Sequence, residues 1–127
     1  MEATKVSKNE VEKNREDRFV SHALVEVRKF KGLPFFCHSA VLLDISINGF
    51  KIEFTSEINI EPGSKHWLSI PLSPLGIYAP KKLLAKSECR WFDDHRYRMG
   101  GIFVDLNRSE ITIVEQVIAS LKGRDTP

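Results

Sequence analysis

The chain has 127 residues, 42% apolar and 28% charged, which is enough for one domain around one modest core. A formal net charge of +2 is too small for a broad nucleic-acid or membrane surface, so an anionic partner would have to be met by a local cluster of basic residues. A small ligand suits that balance better than a nucleic-acid polymer. No apolar run approaches the roughly 18–20 residues that span a bilayer, and the N-terminus is polar where a secretory signal is apolar, so the reading is a soluble, cytoplasmic protein without membrane insertion.

Residues 1–14 are mostly charged and polar, with too few periodic apolar positions to bury a face, and read as a flexible lead. Lys13, Arg15 and Arg18 then concentrate positive charge where the domain, residues 15–122, begins. Left to themselves, Arg15 and Arg18 would pair with Glu12, Glu16 or Asp17 in exposed contacts that contribute about 0–1 kcal/mol. From Ser21 to Phe30, Ala23, Val25 and Val27 alternate with Glu26 and Arg28 at the period of a half-buried strand. A turn at Lys31–Pro34 leads into a second, more apolar strand from Phe35 to Ile45.

Asp44-Ile45-Ser46-Ile47-Asn48-Gly49 forms a polar corner before a third strand, Phe50 to Phe54, with Asn48 and Gly49 suited to the positive φ of tight hairpin turns. Side chains repeat every second residue on an extended segment, so Asp44 and Ser46 project to one side and can face one ligand. Alternatively, both could simply satisfy backbone donors of the turn.

After a turn at Glu61–Ser64, residues 66–70 alternate as a fourth strand that Pro71 and Pro74 bring to an end. Lys82–Phe92 and Tyr97–Val104 read as a long hairpin turning at Asp93-Asp94-His95-Arg96. Asn107 with Glu110 is an N-terminal capping pair, and Ile111, Val114, Val117, Ile118 and Leu121 recur at helical spacing until Lys122-Gly123-Arg124 ends the helix, leaving 123–127 as a tail. The fold class is therefore all-β with a terminal helix: a six-stranded antiparallel barrel capped by a C-terminal α-helix. The apolar helix face covers an end of its own barrel, or serves a homodimer or another protein.

The pattern D-x-S-x-x-G at Asp44, Ser46 and Gly49 resembles the second signature of the PilZ family, bacterial receptor domains for the second messenger cyclic di-GMP. The family's first signature, R-x-x-x-R, matches at Arg18, while its first arginine position holds Asn14. Cys89-Arg90-Trp91 and Tyr97–Phe103 look like the family's last two strands, and the likeness runs over residues 13–122. It implies a non-enzymatic receptor, without a cofactor, that binds cyclic di-GMP and relays the signal to a protein partner controlling motility, biofilm or virulence-type outputs. The ligand site would comprise Arg15, Arg18, Asp44, Ser46 and Gly49, with Asn14, Asn48, Arg90 and Gly100 as secondary contacts. The basic segment would close over the hairpin as a clasp, with either Arg15, one residue along, replacing Asn14 or that contact missing. A PilZ-like module that has lost nucleotide binding and docks to proteins is the alternative.

The chemistry is consistent with such a ligand. Arginine can grip phosphate or the guanine O6/N7 edge bidentately and stack on a base, whereas lysine offers a point charge only. A carboxylate at Asp44 can accept from guanine N1 and N2, Ser46 offers a hydroxyl, and Gly49 permits close backbone approach. Other chemistries lack a constellation. His22, His38, His66 and His95 show no metal spacing, and Cys37 and Cys89 read as strand or core thiols. Asp93, Asp94 and His95 fit a hairpin tip better than acid/base work, and Trp67 and Trp91 fit a barrel wall.

Overall fold

The computed structural model describes residues 23–30 and 37–125, with the side chains of 123–125 left aside. Six antiparallel strands, β1 (Leu24–Arg28), β2 (Cys37–Ile45), β3 (Gly49–Phe54), β4 (Lys65–Pro71), β5 (Lys82–Asp93) and β6 (Arg98–Phe103), close into a barrel in the order β1-β2-β3-β6-β5-β4. One helix, α1 (Arg108–Asp125), follows. The expected architecture is the observed one, with β1 shorter than the alternation alone suggested.

Alternation explains the core. Val25 and Val27 of β1, Ala40 and Leu42 of β2, Phe50, Ile52 and Phe54 of β3, and Leu83, Ala85 and Cys89 of β5 all point inward. Leu68 and Ile70 of β4 and Met99 of β6 complete the filling. Closure satisfies the outer ladders, since β1 pairs with β4 through Glu26↔Ser69, Val27↔Leu68 and Arg28↔Trp67. Gly63, at φ 91°, turns the chain between β3 and β4, and its N–H donates to Cys89 O at 2.7 Å, tying that loop to β5.

The helix begins as its sequence requires: Glu110 N–H donates to Asn107 Oδ1 at 2.8 Å and Asn107 N–H to Glu110 Oε1 at 2.9 Å, a reciprocal capping box. Val114, Val117 and Leu121 enter the core cluster, and Ser120 Oγ donates to Leu75 O at 2.6 Å, which seats α1 on the Ser73–Leu75 turn before β5. The helical backbone continues to Asp125 instead of stopping at Gly123. Leu121, 1% exposed, anchors the last turn, and a single glycine beyond such an anchor costs only about 1 kcal/mol of helix propensity.

His66, on β4, is half-buried with Nε2 2.8 Å from Ser64 Oγ. Burial foremost, then the charges of His38 and Lys29, lowers its pKa below the ordinary 6.5. The unfolded chain therefore binds this proton more readily than the folded one, so the His66 contribution is complete above 6.5 and is lost as pH falls from there toward the lower folded value. Melting between about pH 7.5 and about pH 5 should show a smaller acid-side decline in His66→Gln than in the parent chain. Equal declines would assign the loss to other groups.

Candidate functional site

Ile45 ends β2, Gly49 begins β3, and residues 46–48 make the corner between them. Ser46 N–H donates to Gly49 O at 2.8 Å, while Ser46 Oγ accepts from the N–H groups of Asn48 and Gly49, each at 3.3 Å. Neither Asn48 nor Gly49 adopts the positive φ expected of them. Ser46 instead braces a wider loop, in which its hydroxyl satisfies the donors that a tighter turn would direct into a ladder. Both hydroxyl contacts are long for N–H···O bonds, and the side chain is exposed. Asp44 is exposed too. Its Oδ1 accepts from Ile45 N–H at 2.9 Å, and its other oxygen has no hydrogen bond among the described residues.

Two breaks in strand register decide what faces outward. Leu42 lies opposite Ile52 and Asp44 opposite Lys51, so Leu43 is an extra residue on β2. Inward positions accordingly change phase from Leu42 to Ile45, leaving Asp44 on the outer wall. On β5, Cys89 lies opposite Gly101 and Trp91 opposite Gly100, which makes Arg90 the extra residue. Cys89 is fully buried, and Phe92 packs against the core beyond it. Trp91 between them stands on the outer wall of the barrel at 44% exposure.

The result is an open cleft of about 320 Å³ on the outer wall, floored by β3 and β6. Asp44, Ser46 and Gly49 stand on one side, Arg90 and Trp91 on the other, and Lys51, Gly100 and Ile102 lie between. Glycine is required sterically at two of these places. A Cβ on Gly49 would fall onto the backbone oxygen of Gly101, and one on Gly100 would enter the Trp91 indole. Gly100 is thus the seat of an aromatic side chain that otherwise meets the open cleft.

Charge is distributed unevenly. Glu53 and Arg98 pair across β3 and β6 at 2.8 Å, and Arg90 lies 3.7 Å from Glu88, which also faces Lys65 at 3.7 Å. The Lys51 side chain makes no hydrogen bond or ion pair with another described residue, although Asp44 stands opposite it in the ladder. Burial pushes the Cys89 thiol pKa up, consistent with its place beneath the wall.

The structure thus brings together Asp44, Ser46, Gly49, Arg90 and Gly100, and sets Asn48 beside them in the corner. Asn14, Arg15 and Arg18 lie outside the described residues. Lys51 and Trp91 were not legible as cleft residues. The paired Gly100-Gly101 was the available signal, since consecutive glycines in a strand mark close approach of something large.

No family model matches the chain, and no curated protein does. Solved structures do. The chain has a TM-score of 0.59 to the PilZ domain of CeSA from a cellulose-synthesizing bacterium, at 15% identity over 79% of this chain and 92% of that one. It has a TM-score of 0.61 to the PilZ domain of YcgR from Escherichia coli, determined with c-di-GMP, at 11% identity over 80% of this chain and 83% of that one. At such identities the likeness establishes the fold: a closed PilZ-like barrel with a C-terminal helix.

Proposed function

We propose that the chain is a non-enzymatic receptor for cyclic di-GMP. The observation that carries this reading is the cleft itself, where the D-x-S-x-x-G corner meets an exposed indole and two cations on one wall of a PilZ-like barrel. Asp44 accepts from the guanine N1 and N2 donors, which adenine lacks in that arrangement, and so selects the base. Gly49 admits the ligand close to the backbone, and Ser46 turns its weakly engaged hydroxyl to it. Trp91 offers a face for stacking, and Arg90 a guanidinium for the base edge or a phosphate. In this reading Arg15 and Arg18 supply further guanidinium groups to the ligand. Ligand binding changes the surface beside the barrel, and a protein partner governing motility, biofilm or virulence-type outputs reads that change.

Calorimetric titration with cyclic di-GMP tests this. Saturable binding should weaken by about ten- to hundredfold in Asp44→Ala and in Arg18→Ala, the range for losing a charge-assisted or bidentate contact. Asn14→Arg should tighten it by a comparable factor. Absence of binding by both the parent chain and Asn14→Arg would favour the protein-interaction module, for which the departure at Asn14 is the motivating observation.

A further inference from the structure

We propose that Lys51 is a phosphate-binding residue on the barrel wall. The inference rests on the cyclic di-GMP reading and assigns within it a contact to a residue outside both sequence signatures.

Lys51 follows Gly49 by two residues on β3 and shares its outward face, where its ladder neighbours are Asp44 on β2 and Gly100 on β6. It therefore lies at the middle of the cleft, between the carboxylate suited to a guanine and the glycine that seats Trp91. A cyclic dinucleotide carries its phosphates in the central ring and its bases outside it. A cation between two base-directed groups is placed for a phosphate.

The surrounding charges favour the same assignment. Glu53, the next outward residue on β3, is occupied by Arg98 at 2.8 Å, and Arg90 shares Glu88 with Lys65. Asp44 directs one oxygen to Ile45 N–H. Lys51 is consequently the cleft-lining cation without an ion pair among the described residues. Its chemistry limits the contact: an ammonium is a compact point charge with rotatable donors, adequate for phosphate oxygens and unable to form the planar fork that reads a guanine edge.

Titration of the parent chain, Lys51→Gln, Lys51→Arg, Asn14→Arg and the Asn14→Arg/Lys51→Gln double variant with cyclic di-GMP, each at several salt concentrations, tests the assignment. Lys51→Gln should bind about tenfold more weakly, as expected for one charge-assisted contact, with a shallower dependence on salt. Lys51→Arg should retain both affinity and salt dependence. Adding Asn14→Arg to Lys51→Gln should restore affinity toward that of the parent. If the parent binds and Lys51→Gln matches it in affinity and salt dependence, the Lys51 assignment is wrong while the receptor reading stands. If neither the parent nor Asn14→Arg binds, both fall. Thermal melting of each variant separates lost contact from lost fold, because an outward residue of a strand can change without unfolding the barrel.

Discussion

Gly49→Val is expected to destabilise the barrel by about 3 kcal/mol, the upper part of the usual range for overpacking. The obstacle is Gly101 O, a backbone atom in the strand paired with β3, so no side-chain rotation relieves it. The β3–β6 ladder must open at Gly49↔Ile102 and Phe50↔Gly101, where the two strands floor the cleft. A branched side chain adds bulk on the face where Asp44 and Lys51 stand. Urea unfolding should therefore show a lower midpoint with a similar slope. A stability within about 0.5 kcal/mol of the parent, the range of ordinary surface substitutions, would mean that the two strands are not held this close.

Phe50→Ala should cost about 4 kcal/mol, as large-to-small changes of buried aromatics do. Phe50 is 6% exposed, and its ring lies 5.3 Å from that of Phe103 at an interplanar angle of 46°. It also fills the space that a side chain at position 101 would claim, since a Cβ on Gly101 would come within 2.5 Å of Phe50 Cζ. The ring and the missing side chain are two halves of one packing solution. A milder pair makes that testable: Phe50→Leu leaves a void and Gly101→Ala crowds the ring, so together they should cost less than the sum of their separate effects. Double-mutant unfolding measures the coupling, and strict additivity would show that the two positions do not share the space.

Much of this architecture is readable from local chemistry. Val25 and Val27 between Glu26 and Arg28 declare a strand with one wet face, and Asn107 with Glu110 declares a helix start that the structure reproduces bond for bond. The site is only half legible. Asp44, Ser46 and Gly49 occupy consecutive stations of a signature, so they could be chosen before their geometry was known. Trp91 could not. In an unbroken strand it shares a face with Cys89, and Cys89 is fully buried, so regular alternation sends the indole inward. The extra residue at Arg90 reverses that inference. On β2, Ala40-Val41-Leu42-Leu43 is apolar at every position and gives no parity against which an insertion could be seen. Lys51 was illegible for another reason: a lysine between Phe50 and Ile52 satisfies the wet side of any strand.

The closed order β1-β2-β3-β6-β5-β4 also bears on how a signal could leave the domain. Each described strand has neighbours on both sides, so among the described residues the barrel has no open edge on which a partner could build by β-augmentation. Recognition of this domain must then be a matter of side-chain relief: which groups project, which are screened, and how a bound anion alters both.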